Sequence, residues 1–244
     1  MTDSGFSDQT NRGLEASPLA RAYRTVLQRL DVAAREAGRH AADIRLLAVS
    51  KGQPAAAIEE LSRLGQRDFG ESYLQEALPK IDRLGDQKLI WHFIGPMQTS
   101  KCRDIAAHFD WIHSLDSAAH ADRLDRRRPA HLPPLQVCLQ VKLSPEPRKS
   151  GADPDQLPGL ARHVSRLPRL RLRGLMTIPE ASPDRTLQRA AYARLKTLFC
   201  ALQAAGHDLD TLSMGMSADL EAAILEGSTL VRVGQAFFGA RSVG

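Results

Sequence analysis

Short apolar runs and amphipathic segments alternate eight times along the sequence, and this alternation limits the folds open to the chain. The apolar runs are bounded by Gly, Pro or polar residues, as buried strands are, and the segments between them carry apolar residues at helical spacing. The predicted strands cover residues 44–50, 67–70, 89–95, 110–116, 134–143, 170–178, 211–215 and 229–234. Each of the first seven leads into a predicted helix, which is typical of a parallel sheet.

The predicted helices lie at residues 55–65, 73–85, 101–109, 117–128, 154–167, 184–206 and 217–227. A further amphipathic helix over residues 18–38 precedes the first strand, and Pro79 is expected to interrupt the helix at 73–85. Eight β/α units are the number that closes a barrel. We therefore predict an α/β fold: a single-domain (β/α)8 TIM barrel over residues 18–244, with an extra N-terminal helix and a flexible start over residues 1–17. A doubly wound open sheet is the alternative, because a strand count does not prove closure.

Composition argues against two classes of function. No run is long enough to span a membrane. The net charge of +5 invites nucleic-acid binding, but the basic residues are scattered and aromatic residues make up only 5% of the chain, so we expect no nucleic-acid partner. The tightest basic cluster, residues 125–129, is expected to end a polar helix and to face solvent.

The cysteines and the N-terminus indicate a cytoplasmic protein. Cys102, Cys138 and Cys200 are odd in number and lack CxxC spacing, which is typical of reduced thiols. The first 13 residues contain no apolar core of the kind that a signal peptide needs.

A lysine directly follows the first predicted strand. Active sites of β/α barrels lie at the C-terminal ends of the strands, which places Lys51 at the mouth of the barrel. A partly buried lysine is a candidate for Schiff-base chemistry, because burial lowers the pKa of its amine. A solvated lysine at the start of a loop is the alternative.

The last two predicted strands end in turns that suit an anion. Ser217 follows a glycine turn and is placed at the N-cap of a helix, where backbone N–H groups are available, although an ordinary serine cap is the alternative. At the end of strand eight, after Arg232, Gly234 allows a close backbone approach and Gln235 supplies a further N–H group. The loops after strands seven and eight often bind phosphate in this fold. Among common cofactors, an amine opposite a phosphate cradle best fits pyridoxal 5′-phosphate (PLP).

Six motifs, in order along the chain, carry a resemblance to a known family. They are AVSK (48–51), FGES (69–72), WHFIGPMQTSK (91–101), RLRGLMTIP (171–179), LSMGMSADLEAAI (212–224) and VRVGQAFFGAR (231–241). Together they resemble the pyridoxal-phosphate homeostasis protein family, which is similar to the N-terminal barrel of alanine racemase. The resemblance runs from about residue 18 to the end of the chain.

The resemblance implies a role for each candidate residue. Lys51 would carry PLP as a Schiff base, Arg232 would approach the pyridine nitrogen, and the turns at 217 and 234–235 would hold the phosphate. The predicted cofactor-binding residues are Lys51, Ser72, Met216, Ser217, Arg232, Gly234 and Gln235. We predict no metal site, and no catalytic residue is assigned.

Two positions depart from the family pattern. Ser72 stands where the family has the asparagine of FGENY, and a serine can replace one hydrogen bond of that amide but not two. Lys142 stands where an asparagine often follows the valine of strand five, and it either points inward as a second amine or turns out to solvent.

Several other polar residues are interpreted as structural. His92 and His113 lie on predicted strands, and without a third ligand at matching spacing they are more typical of packed, hydrogen-bonded residues than of metal ligands. Glu71 and Asp116 are placed at helix starts, where carboxylates favour the helix dipole. Lys149, in the loop after strand five, is expected to be solvated.

The function implied by the resemblance is PLP binding in intracellular vitamin B6 and amino-acid homeostasis, with PLP-dependent apoenzymes as candidate recipients. A charged arginine at the pyridine nitrogen weakens the ring as an electron sink. Alanine racemase also uses a tyrosine base from a second domain, which Tyr23, Tyr73 and Tyr192 do not obviously replace. We therefore expect a monomer without rapid catalysis. The alternatives are a PLP-dependent amino-acid racemase or Cα lyase of fold type III and, from another class, a basic nucleic-acid-binding module.

Overall fold

Eight parallel strands form a closed barrel in the computed structural model, which describes residues 17–143 and 150–239. The strands are β1 (Arg45–Val49), β2 (Asp68–Glu71), β3 (Ile90–Phe93), β4 (Trp111–Leu115), β5 (Leu135–Gln140), β6 (Leu170–Met176), β7 (Thr211–Ser213) and β8 (Leu230–Val233). Of the expected flexible start at residues 1–17, only Ser17 is among the described residues, and the expectation for Lys149 also lies outside them.

Pairing of the first strand with the last closes the sheet. In β1 and β8, Arg45 pairs with Leu230 and Ala48 pairs with Val233, in the same parallel sense as every other neighbouring pair. The predicted (β/α)8 barrel with an extra N-terminal helix is confirmed, and the open-sheet alternative is wrong.

The helices follow the strands as the pattern predicts. They are α1 (Pro18–Glu36), α2 (Ala55–Arg63), α3 (Leu74–Arg83), α4 (Cys102–His108), α5 (Ala118–Arg127), α6 (Leu157–Val164), α7 (Arg185–Ala204), α8 (Leu220–Leu225) and α9 (Gln235–Phe238). Ser17 caps α1 by accepting the N–H of Ala20 at 2.9 Å, and Pro18 occupies the first position, where the missing N–H costs nothing. The apolar face of α1 packs on α2, α8 and α9.

Pro79 does not interrupt α3. The helix continues from Leu74 to Arg83 with the proline inside it. Leu74, Ala77 and Lys80 of this helix are buried against the barrel. We attribute its continuity to this packing, which offsets the helical hydrogen bond that a proline removes. In the described ranges, no helix is both long and apolar enough to cross a bilayer.

The apolar core has two layers. The larger lies between the strands and the surrounding helices, and a smaller cluster of Trp111, Cys138 and Met176 packs separately, with Ile90 against it. The three cysteines are free thiols, of which only Cys200 is exposed.

Arg128 is buried rather than solvated, which corrects the expectation for the basic cluster at residues 125–129. Only 2% of its surface is exposed, and its guanidinium donates to the carbonyl oxygens of Ala106, Phe109 and Pro133 at 2.7–2.8 Å. The Ala106 and Phe109 carbonyls lie at the end of α4, and the Pro133 carbonyl lies just before β5. The physical reason is that a guanidinium with five N–H donors can satisfy several carbonyls that no helix or strand serves.

Replacing Arg128 should therefore destabilise the barrel. We expect Arg128→Ala to lower the free energy of unfolding by about 2 to 4 kcal/mol, because buried carbonyls lose charge-assisted hydrogen bonds. The neighbouring Arg127→Ala is the matched control, since Arg127 is exposed, and should change stability by less than about 0.5 kcal/mol. Denaturant unfolding measures both. Equal effects would contradict the structural role of Arg128.

Candidate functional site

A cavity of about 420 Å³ opens at the C-terminal ends of the strands. Six of the seven predicted cofactor-binding residues line it: Lys51, Met216, Ser217, Arg232, Gly234 and Gln235. Apolar side chains of Val49, Ile94, Met176, Ile178 and Phe238 form much of the remaining wall. The cavity therefore combines an apolar lining with a few polar groups, as small-molecule sites do.

Lys51 follows β1, and two side chains of α3 hold the backbone on either side of it. Lys80 Nζ donates to the carbonyl of Ser50 at 3.0 Å, and Glu76 accepts the N–H of Gly52 at 2.7 Å. Glu76 and Lys80 are one helical turn apart, so a single helix face sets the position of Lys51. The sequence analysis missed both residues, and their spacing on an amphipathic helix was the available signal.

Glu71 is the last residue of β2 and lies fully buried, which corrects its predicted place at a helix start. Its Oε1 accepts from the Ser50 hydroxyl at 2.6 Å and from Lys80 Nζ at 2.8 Å. Burial raises the pKa of Glu71 above its ordinary value, although the hydrogen bonds from Lys80 and Ser50 lower it. The contacts of Glu71 thus tie the ends of β1 and β2 together next to Lys51.

Ser217 lies in a turn rather than at the N-cap of a helix. Helix α8 begins at Leu220, and Asp219 is its N-cap. The reason is the turn at Gly215: its φ of +93° redirects the chain, and Met216–Asp219 then forms a further turn before the helix begins. The Ser217 hydroxyl instead accepts the N–H of Ala236 at 3.1 Å, which joins the turn after β7 to the first turn of α9.

Two residues that the sequence analysis did not assign hold this turn. The carboxylate of Asp219 accepts the Met216 N–H at 2.6 Å and the Tyr192 hydroxyl at 2.7 Å. Arg29, from the N-terminal helix α1, donates to the Ser217 carbonyl at 2.9 Å and pairs with Glu221 at 2.7 and 2.9 Å.

The Arg29–Glu221 pair is an ionic contact. Burial alone would raise the pKa of Glu221, but the hydrogen bond and charge of Arg29 outweigh burial and hold that pKa below its ordinary value. The two residues are 192 positions apart in the sequence, so no local pattern could have paired them.

Arg232 forms part of the cavity wall from β8. It is 4% exposed, and its guanidinium donates to Ser213 O at 2.6 Å, Ser213 Oγ at 2.8 Å and Thr177 O at 2.9 Å. Burial lowers the pKa of Arg232. A guanidinium has only donors, five of them, and these contacts with described residues use three. The wall of the cavity therefore offers a positive charge and N–H donors to a ligand.

Gly234 directly follows β8 and lies against the end of β1. A Cβ atom there would stand 3.1 Å from the Val49 carbonyl oxygen and 3.2 Å from Val49 Cβ. A larger residue would push apart the two strand ends that carry Lys51 and Arg232.

Ser72 and Lys142 are not among the residues that line the cavity. Ser72 is buried behind Gly95, where a Cβ atom would lie 2.1 Å from the Ser72 carbonyl oxygen. Lys142 follows β5, and its backbone N–H donates to Ala152 O at 3.0 Å.

The interpretation of His92 and His113 as packed, hydrogen-bonded residues is confirmed, because both are fully buried and lie 2.9 Å apart through ring nitrogens. Within residues 17–143 and 150–239, no three His, Cys, Asp or Glu side chains form a group that could hold a metal ion.

Comparison with known proteins adds a family to this geometry. The family model described as alanine racemase, N-terminal domain, matches residues 26–242. A pyridoxal phosphate homeostasis protein of Pseudomonas aeruginosa is 56% identical over 228 residues, which cover 93% of this chain and 98% of that protein. The chain belongs to the pyridoxal phosphate homeostasis protein family. A second relative of that name, from Escherichia coli K12, is 48% identical over 219 residues and covers 88% of this chain and 94% of its own length.

Solved structures of similar proteins agree with membership of the pyridoxal phosphate homeostasis protein family, and the predicted resemblance is confirmed. PipY of Synechococcus elongatus, in a structure with PLP bound, has a TM-score of 0.77 and 41% identity and covers 88% of this chain and 100% of its own. Alanine racemase from Corynebacterium glutamicum has a TM-score of 0.63 at 19% identity, over 90% of this chain and 62% of that one. The second likeness shows the shared barrel fold.

In this member of the pyridoxal phosphate homeostasis protein family, the turn before Ser217 depends on Gly215. Its Cβ would lie 2.5 Å from Ala223 Cβ, whereas Gly206 has the same φ of +93° and no atom within 4 Å. Gly206→Ala should cost about 1 to 2 kcal/mol from backbone strain alone. Gly215→Ala should cost at least about 1 kcal/mol more, because overpacking adds to the same strain. Denaturant unfolding of the two variants measures both free energies. Equal losses of stability in Gly206→Ala and Gly215→Ala would contradict the role given to Gly215.

Proposed function

We propose that this protein binds PLP in the cavity at the mouth of the barrel and acts in intracellular PLP (vitamin B6) and amino-acid homeostasis. The observation that carries the proposal is the convergence of the Lys51 side chain, the Arg232 guanidinium and the turns at Ser217 and Gly234 on one cavity. The names of the close relatives and the PLP-bound structure of PipY support it.

The residues of the cavity fit PLP in size and in chemistry. A volume of about 420 Å³ lies within the range of small-molecule sites. Ser217 brings a hydroxyl, and the turn at Gly234–Gln235 brings backbone N–H groups that approach a phosphate without a side chain in between. PLP supplies an aldehyde that forms a Schiff base with an amine, and Lys51 is the residue that we propose holds it.

Arg232 shapes what the bound cofactor can do. Its guanidinium is fixed by Ser213 and Thr177 and would donate toward the pyridine nitrogen. A donor that stays protonated discourages a second proton on that nitrogen, which weakens the ring as an electron sink. This favours holding PLP over fast chemistry at Cα.

The tyrosines also favour a carrier over a racemase. None of the three lines the cavity. Tyr192 donates to Asp219, the hydroxyl of Tyr23 lies 3.5 Å from Gln66 Oε1, and Tyr73 is exposed before α3. We therefore propose a cytoplasmic, monomeric PLP carrier without rapid catalysis, with PLP-dependent apoenzymes as its recipients. Among the described residues of the cavity wall there is no tyrosine, which is the base that alanine racemase adds to its lysine.

Borohydride reduction tests the role of Lys51. After incubation with PLP, the native protein should absorb at the wavelengths of a Schiff base, and reduction should leave the label on the peptide that contains Lys51. Lys51→Ala should lose both signals. Lys142→Ala is the control, because Lys142 is not on the cavity wall, and it should keep both. A native protein that stays colourless, or a label on another lysine, would contradict the proposal.

The contact of Arg29 with the Ser217 turn predicts an effect on cofactor affinity. Arg29→Ala should weaken PLP binding by about fivefold, equivalent to about 1 kcal/mol, because the turn that carries Ser217 loses a tether. Arg35→Ala on the same helix is the control, since Arg35 is exposed and pairs only with Asp31 among the described carboxylates. Equilibrium titration followed by absorbance measures both variants. Unchanged affinity in Arg29→Ala would contradict the role given to α1.

A further inference from the structure

A continuous line of hydrogen bonds crosses the interior of the barrel from the cavity to its opposite end. Arg232 donates to Ser213 Oγ at 2.8 Å, and Ser213 Oγ lies 2.7 Å from His113 Nδ1. His113 Nε2 then lies 2.9 Å from His92 Nδ1, and His92 Nε2 lies 2.9 Å from Asp68 Oδ1. Five strands contribute one residue each to this line, which we call the interior chain.

The interior chain is buried along its length and is most exposed at its far end. Ser213, His113 and His92 have no exposed surface, and Arg232 is 4% exposed. Asp68 is the first residue of β2, so it lies at the end of the barrel away from the cavity, where its side chain is 14% exposed. Arg45, the first residue of β1, approaches the same oxygen at 3.7 Å. The interior chain therefore links the cavity wall with the Asp68 carboxylate near the opposite end of the barrel.

The two ends fix the direction of every hydrogen bond between them. Arg232 has only donors, and the Asp68 carboxylate has only acceptors. Because Asp68 accepts, His92 donates from Nε2, and Nδ1 of its neutral ring is left as an acceptor. The same reasoning makes His113 donate from Nε2 and accept at Nδ1, so Ser213 donates its hydroxyl hydrogen to His113. The network assigns these hydrogens.

The environment favours the neutral form of both histidines. Burial lowers the pKa of His92, although the hydrogen bond and charge of Asp68 act in the opposite direction. Burial, together with the repulsion that a protonated His92 would add and the charges of Arg232 and Arg45, holds the pKa of His113 well below its ordinary value of 6.5. Neutral rings can accept and donate at once, which a continuous one-way chain requires.

The direction of the hydrogen bonds in the interior chain decides which acceptors Arg232 has. Since the hydroxyl hydrogen of Ser213 points to His113, its oxygen presents a lone pair to the guanidinium. Arg232 then has three fixed acceptors, Ser213 O, Ser213 Oγ and Thr177 O, which set the plane of the guanidinium at the cavity wall. Aligned hydrogen bonds of this kind polarise one another in a low-dielectric interior.

We propose that Ser213, His113, His92 and Asp68 are positioning residues for the PLP site, which hold Arg232 against the pyridine nitrogen and make the electronic state of the cofactor depend on the charge of Asp68 at the other end of the barrel. This inference rests on the proposed function. It extends the cavity site through the barrel by four hydrogen bonds, to a residue that no ligand in the cavity would touch.

Asp68→Asn is the variant that separates positioning from packing. The amide keeps the size and one acceptor oxygen, but it removes the charge and adds a donor, so the interior chain is no longer forced to run in one direction. Asp122→Asn is the matched control: His163 Nε2 lies 2.7 Å from Asp122 Oδ1, and this pair joins α6 to α5 outside the barrel. Ser213→Ala is a second test variant, which removes the link nearest Arg232.

Nitrogen NMR of the imidazole rings in the apoprotein tests the direction of the interior chain, with no PLP present. At neutral pH, His92 and His113 should both be neutral and carry hydrogen on Nε2, and Asp68→Asn should populate the other tautomer. A charged ring, or hydrogen on Nδ1 in the native protein, would overturn the proposal.

Absorbance of the PLP-loaded protein tests the coupling. At one fixed pH, Asp68→Asn and Ser213→Ala should change the ratio of the visible ketoenamine band to the near-ultraviolet enolimine band of the bound cofactor by about twofold or more, and Asp122→Asn should leave it unchanged. If Asp68→Asn and Ser213→Ala both keep the band ratio of the native protein, the coupling is overturned, while the proposed function stays intact. If the native protein takes up no PLP, the proposed function fails, and this inference fails with it.

Discussion

The pairing of β1 with β8 is the constraint on which the site depends. Lys51 follows the first strand and Arg232 lies in the last, so only closure of the sheet makes them neighbours across one cavity. In an open sheet of eight strands, seven spacings of about 4.8 Å would separate the two edges by about 34 Å. Gly234 permits close contact between the ends of β8 and β1, since a Cβ atom there would lie 3.1 Å from the Val49 carbonyl oxygen.

The interior of the barrel contains several polar side chains, and burying them costs free energy. Barrels of this type are usually filled with branched apolar side chains, whereas here Ser213, His92, His113 and Arg232 share the interior with Trp111. Buried polar groups cost free energy unless they are hydrogen-bonded, and each of these is. The same logic extends outward, where Arg29 and Lys80 reach from the outer helices to hold the turns that carry Ser217 and Lys51.

The fold was predictable because its signals are local. Each strand and each helix carries its own apolar pattern, and barrel topology then places Lys51, Ser217 and Arg232 at one end without any knowledge of contacts. The supporting residues were not predictable in this way. Arg29 and Ser217 are 188 positions apart, and His113 and Ser213 are 100 apart, so no spacing relates them. Glu71 and Arg128 look like surface charges in the sequence, and only the assembled barrel shows what buries them.

Electron density from crystals of the protein grown with PLP is the most direct measurement of the central claim. The account predicts one cofactor in the cavity, with density continuous to Lys51 Nζ, the pyridine nitrogen facing the Arg232 guanidinium, and the phosphate against Ser217 and the Gly234 turn. Density for PLP on another lysine, or a ring whose nitrogen faces away from Arg232, would contradict it.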